Sequence, residues 1–282
     1  VLDAVVPLTM AIPKNVAVDA QAAFDKLLVD CHEQSGCARA YPHLEDHFRE
    51  LVTRLEVAPE EVTVFHPRTG EASTGIVDPL LINRLVRGVM YSRTLSRLLP
   101  LAIEEAFAGN YQPLSTLAYT LTGDGSELST GMMASVLCSE DMKLTDSAND
   151  TRDFDNALYT VLAPICEFWP TGTVPEAYFT PVSSDVPVLL TSGKLDPITP
   201  PKYGWEASLT LNNSEHVVIS GIGHGSITTG CMPDVVNDFI NDPNPRKLNA
   251  GCTVNLRRPA FFTSYAGPLD SQENSQEVKQ GD

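Results

Sequence analysis

The chain has 282 residues, 43% of them hydrophobic and 20% charged, and a formal net charge of −17. That length suffices to bury one large core or two smaller ones. The acidic balance argues against a nucleic-acid partner, which would need clustered Lys and Arg, and against adhesion to an anionic membrane surface; its first effect is solubility.

Val1 to Val6 is a short apolar run ended by Pro7, which predicts a buried parallel strand. The run lacks the basic leader and cleavage site of a signal peptide, and no apolar stretch reaches bilayer-spanning length. Asp19 predicts an N-cap for a helix with Ala20, Phe24, Leu27 and Leu28 on one face. Leu44, Phe48, Leu51, Val52 and Leu55 repeat that spacing. Asp78-Pro79 predicts a further helix start, with an acidic cap and proline in the first turn. Leu95, Leu98, Leu99 and Ile103 continue the pattern, and Pro100 should kink or break it. None of these segments alternates with strands, so a mostly helical block is expected.

The pattern changes near Pro187. Val188-Leu189-Leu190 predicts a buried strand, Thr199-Pro200-Pro201 a helix start, and His216 to Ile219 a second strand. Met232, Val235, Val236, Phe239 and Ile240 then form an amphipathic helical stripe. A β-α-β-α unit of this kind calls for a parallel sheet. The expected architecture is therefore α/β, a core of parallel strands with helices interrupted by a large, mainly helical cap. A core strand and cap entry would occupy 1–12, the helical cap 13–181, the rest of the core 182–269, and a disordered polar tail 270–282. The cap would sit over the C-terminal ends of the strands, where open α/β sheets bind ligands.

Six cysteines fall as sequential pairs, Cys31/Cys37, Cys138/Cys166 and Cys231/Cys252. Several connectivities are formally open, but sequential pairing closes the smallest loops, and each loop begins or ends near a predicted helix end. Zinc-type Cys-x-x-Cys groupings are missing from the sequence, so three disulfides formed in an oxidising compartment are expected.

Two turns carry the chemistry. Asp196 follows the strand Val188-Leu189-Leu190, and His224 stands between Gly223 and Gly225 after the next strand. An acid and then a histidine after consecutive late strands is the order of an α/β-hydrolase triad. His224 would act as general base toward a hydroxyl, and Asp196 would orient its ring through Nδ1–H. Asp196 also suits an Asx turn before Pro197, and one residue can do both. The sequence holds no Gly-x-Ser-x-Gly elbow. Ser126 lies in the helical block without strand-turn-helix context, and Ser226 is too near His224 to face its ring. The chain is expected to be the C-terminal portion of a serine hydrolase, inactive alone, with its nucleophile upstream of Val1.

Other candidates read as structural. His43 and His47 share a helix face with zinc-compatible spacing but no third ligand, and a solvent-facing polar stripe is expected. His32, His66 and His216 read as surface or packing residues. Trp169 and Trp205 read as core or pocket wall, Trp205 with a place to brace the Asp196 loop. No metal or other cofactor is expected.

The run Ser192-Gly193-Lys194-Leu195-Asp196-Pro197-Ile198-Thr199-Pro200-Pro201, with Gly223-His224-Gly225 and Cys231 after it, resembles the TAP-like α/β-hydrolases. These are the secreted tripeptidyl aminopeptidases and related proline iminopeptidases. Cys252 with Arg258-Pro259-Ala260-Phe261-Phe262 adds to the likeness. So do Val1-Leu2-Asp3-Ala4-Val5-Val6-Pro7, Cys31 to Cys37 with Tyr41-Pro42, and Cys138-Ser139-Glu140-Asp141. The resemblance implies a secreted or periplasmic exopeptidase acting on peptides with a free N-terminus, its core completed by an N-terminal part with the elbow and oxyanion loop. It also implies that acidic cap residues, here Glu140 or secondarily Asp141, receive the substrate ammonium. The same fold could instead serve an esterase, an epoxide or halide hydrolase with an acid nucleophile, or a non-catalytic binding protein.

Overall fold

A computed structural model describes residues 1–122, 129–145, 151–154 and 156–269 of the chain. Ser126 and the polar tail from Asp270 lie outside the described residues. In chain order the elements are β1 (Leu2–Asp3), α1 (Ile12–Glu33), α2 (Ser35–Ala40), α3 (Leu44–Val57), β2 (Glu60–Phe65) and β3 (Ala72–Val77). Next come α4 (Pro79–Met90), α5 (Leu99–Phe107), α6 (Gln112–Thr122), α7 (Thr130–Ser139) and α8 (Ala157–Cys166). The last are β4 (Val188–Gly193), α9 (Pro201–Ser208), β5 (Ser214–Ile219) and α10 (Met232–Asn241). The chain divides into two compact units, one of Val1–Phe24, Met90–Arg93 and Thr122–Arg258, the other of Asp25–Val89, Thr94–Leu121 and the segment from Pro259 onward.

The first unit is α/β. Its parallel sheet has the order β1-β4-β5, with Leu190 opposite both Leu2 and His216. β4 is buried along nearly its whole length because both of its edges are paired and its residues are apolar or small. β5 turns Val217 and Ile219 inward, where they meet Leu189, Ile222 and the Met232, Val235 and Phe239 face of α10. Each fully buried side chain of this kind contributes about 1.5–3 kcal/mol. Ile240, expected on the same stripe, is exposed. The Cys231–Cys252 bridge ties the start of α10 to the turn over Gly251–Asn255. Closing a loop of that size restricts the unfolded chain by about 3 kcal/mol on the chain-entropy account. The second bridge in this unit, Cys138–Cys166, links α7 to α8.

Two expectations for the first unit need correction. The run Val1 to Val6 is not a buried strand: only Leu2 and Asp3 pair with β4, and Val1, Leu2 and Val6 are exposed. Ala4 adopts a φ of 56°, which turns the chain out of the sheet after its N–H bonds Thr191 O. Asp19 is not an N-cap, because α1 begins at Ile12 and carries Asp19 in its interior. The cap role falls to Asp141, whose Oδ1 accepts from Ile12 N at 3.0 Å. The first turn of α1 has no acid of its own, so this remote carboxylate supplies the negative charge that a helix N-terminus favours. Asp19 instead accepts from the Tyr203 hydroxyl at 2.6 Å and pairs with Lys202, both on α9.

The second unit is helical with one hairpin. α3 buries Leu44, Phe48, Leu51 and Leu55 and packs along α5. Asp78 Oδ1 caps α4 by accepting from Leu81 N at 2.8 Å. Pro100 does not break a helix: α4 already ends at Met90, and α5 begins at Leu99 with Pro100 in its first turn, where a missing N–H costs nothing. The antiparallel hairpin of β2 and β3 falls inside the block expected to be helical. Its outer edge at Phe65 is closed by the Gln112 side chain, which bonds both Phe65 N and Phe65 O. Cys31–Cys37 bridges the end of α1 to α2, and the Tyr41 hydroxyl donates to Phe262 O at 3.0 Å.

Candidate active site

β4 and β5 deliver their following turns to the same end of the sheet, since parallel strands share a direction. The turn after β4 is organised by Asp196. Its Oδ1 accepts from Ile198 N at 2.9 Å and Thr199 N at 2.8 Å, the geometry of an Asx turn. Its Oδ2 accepts from Thr199 Oγ1 at 2.8 Å and lies 3.0 Å from His224 Nδ1. Both readings of Asp196, turn former and histidine partner, therefore hold at once. The carboxylate is fully buried, and His224 is 36% exposed. Burial alone would raise the Asp196 pKa, but the bonds from His224 and from Thr199 N outweigh it and hold the acid below its ordinary value.

The turn after β5 places His224. Its N–H donates to Tyr91 O at 3.0 Å, and its ring lies 5.0 Å from the Tyr91 ring. Gly223 passes so close to this segment that a Cβ there would collide with the Tyr91 carbonyl oxygen. Gly225 takes a φ of 78°, which lets the chain turn back immediately after the histidine. The bond to Asp196 raises the His224 pKa, against the opposing effect of burial; the charges of Asp196 and Asp3 add to the rise. Among the described residues no hydrogen bond is made by Nε2, the nitrogen a general base would present. Ser226 is buried, and its hydroxyl donates to Asp3 Oδ1 at 2.7 Å rather than to the ring.

Two participants were not anticipated. Thr199 Oγ1 sits between acid and base, 3.1 Å from His224 Nδ1. The Asp-Pro-Ile-Thr spacing carried a signal for it, because a threonine after an Asx turn can return its hydroxyl to the same carboxylate. Tyr91, just past the end of α4, had no motif to mark it.

The remaining candidates each have partners of their own. Glu140 follows α7 and accepts from the Tyr178 hydroxyl at 2.6 Å, a bond that raises the Tyr178 pKa. Asp141 is turned inward to Ile12, and burial raises its pKa despite that bond. His47 is not on a solvent-facing stripe: Nδ1 meets Glu104 Oε2 at 2.8 Å and the ring stacks on Phe107 at 4.2 Å. Trp205 does not brace the Asp196 loop; it is exposed and meets His216 edge-on. Trp169 Nε1 donates to Ser135 Oγ at 3.0 Å. Among the described residues no group of three His, Cys, Asp or Glu side chains could hold a metal ion.

A parallel α/β sheet whose successive strands end in a hydrogen-bonded acid and histidine has the form of an α/β-hydrolase core. Residues 151–252 match the family model described as TAP-like protein, so that this segment is similar to the TAP-like α/β-hydrolases. The matched segment contains Asp196, His224, Cys166 and both cysteines of the Cys231–Cys252 bridge. No curated protein matches the chain. No helix among the described residues is long and apolar enough to cross a membrane.

Proposed function

We propose that the protein is part of a serine exopeptidase in which Asp196 is the acid, His224 the general base, and the nucleophilic serine comes from outside these 282 residues. The observation that carries the reading is the 3.0 Å approach of Asp196 Oδ2 to His224 Nδ1, with Nε2 on the opposite side of the ring from that bond. In this mechanism Nε2 takes the proton of the attacking hydroxyl and returns it to the leaving amine. Asp196 stays ionised throughout, holding Nδ1–H and stabilising the imidazolium. Thr199 Oγ1 helps to orient both partners.

Glu140 is the proposed receptor of the substrate's N-terminal ammonium, held by the Tyr178 hydroxyl. Peptides with a blocked N-terminus would lose that ion pair. Three disulfides accord with work in an oxidising compartment, secreted or periplasmic.

Fluorophosphonate labelling tests the reading. The chain alone should not label. Fused behind, or mixed with, a TAP-like hydrolase half bearing a Gly-x-Ser-x-Gly elbow, it should yield a serine that labels and should cleave peptides with free N-termini. His224→Ala should then reduce kcat by about 10⁴ or more. Glu140→Gln should raise KM for free peptides and leave acetylated ones unaffected. Labelling of a serine in the chain alone, or full turnover by His224→Ala, would overturn the proposal.

A further inference from the structure

The carboxylate of Asp3, at the end of β1, gathers the loop that carries His224. Ser226 N donates to both of its oxygens, at 3.0 and 2.9 Å, and Ser226 Oγ donates to Oδ1 at 2.7 Å. Ile227 N reaches Oδ2 at 3.3 Å, and Thr191 Oγ1 donates to Oδ1 at 2.8 Å from β4. One acid at the edge of the sheet thus engages the residues two and three positions past the histidine, together with the central strand that leads to Asp196. Every donor in this set is an N–H or a hydroxyl, and no cation shares the carboxylate among these contacts.

We propose that Asp3 is a positioning residue for His224, a second acid that fixes the histidine turn against the sheet while Asp196 fixes the ring. The proposal rests on the reading of His224 as general base and extends it to a residue without contact to the ring. The physical case is that His224 is followed at once by Gly225 in a left-handed conformation, so the backbone beyond it has little stiffness of its own. The bonds to Asp3 restore that stiffness, and Ser226 is fully buried as a result. The negative charge of Asp3 also favours the imidazolium, in the same sense as Asp196. An amide cannot substitute well: the NH₂ of asparagine would turn a donor toward donors already in place. The groups that face His224 are therefore Asp196 and Thr199 on the turn after β4, Tyr91 beside the ring, and Asp3 behind the turn.

The test uses the full chain and reads His224 by NMR, through its titration and the solvent exchange of Nδ1–H. Asp3→Asn should shift the His224 pKa downward and speed the exchange of Nδ1–H. Ser226→Ala keeps the carboxylate and the backbone bonds, so it should speed exchange while moving the titration less. A purely structural Asp3 would lower Tm in Asp3→Asn and leave titration and exchange at wild-type values, and that result would overturn the proposal. If Asp3→Asn does not fold, Ser226→Ala decides, and unchanged Nδ1–H exchange in that variant counts against it. Asp196→Asn separates the two levels of inference. If it moves the His224 titration and Asp3→Asn does not, the acid–base pair survives and only the role of Asp3 falls. If Asp196→Asn moves nothing, the underlying reading of the pair fails first.

Discussion

The His216 ring meets Ser192 Oγ at 2.9 Å through Nε2, while its Nδ1 is buried with no hydrogen-bond partner among the described residues. The pair bridges β5 and β4. Burial disfavours the charged ring and lowers its pKa below the ordinary 6.5. A lowered folded-state value means that the unfolded chain binds the proton more tightly. Stability from the neutral ring is therefore present above about pH 6.5 and is lost as pH falls below it. His224 works in the opposite sense, since its raised value contributes below the unfolded pKa and is lost as pH rises through the folded one. His216→Gln, which can still bond Ser192, should flatten the loss of stability as pH falls below about 6.5, measured by urea denaturation at each pH. An unchanged slope would show that His216 titrates in the fold as it does in the unfolded chain.

Asp196 carries four contacts on one buried carboxylate, and its removal should be costly in two ways. Asp196→Ala leaves Ile198 N, Thr199 N and Thr199 Oγ1 without their acceptor, a loss of about 3 kcal/mol. The lowered pKa of Asp196 implies stability that is present above its unfolded value and disappears as pH falls through the folded one. Asp196→Asn retains the shape without the charge. It should drop the His224 pKa, since the bond that raises it is the larger effect and burial then acts unopposed by that bond. An NMR titration of the two proteins reads the difference directly.

Ala4 holds a left-handed backbone at φ 56° where β1 leaves the sheet. A Cβ in that region costs about 1 kcal/mol, which glycine avoids. Ala4→Gly should therefore raise stability by about 0.5–1 kcal/mol, and Ala4→Val should lower it by more, since a β-branched side chain fits that region worst. Chemical denaturation with a constant m-value would check both. A destabilised Ala4→Gly would mean that the lost Cβ contacts matter more than the dihedral.

Much of this was legible in the chain, but unevenly. β4, β5 and α10 announce themselves because a strand buried on both faces, a strand with alternate residues turned inward, or a helix buried on one face leaves a local apolar pattern. The disulfides follow from spacing. β2 and β3 were hidden because β3 is exposed at five of its six residues and has Gly75 in its middle, leaving no inward period for it to display. In β2 the half-buried Val62 and Val64 do alternate with exposed neighbours, a period-two signal lost beneath the helical pattern of α3. Asp19 misled for a related reason: an acid before an apolar stripe resembles a cap whenever its true partners lie far along the chain.

The local order of residues was enough to determine the α/β character of the C-terminal part, the positions of its acid and histidine turns, and the cysteine pairs, because each depends on neighbours within a few residues or on short loop closure. Tertiary structure decided the rest. It assigned Asp19 to Tyr203, Asp141 to the start of α1, and Asp3 to Ser226, pairs separated by more than a hundred residues. Burying a charge demands a hydrogen-bonding partner but does not specify which one, and only the packed chain brings particular donors within reach of each carboxylate.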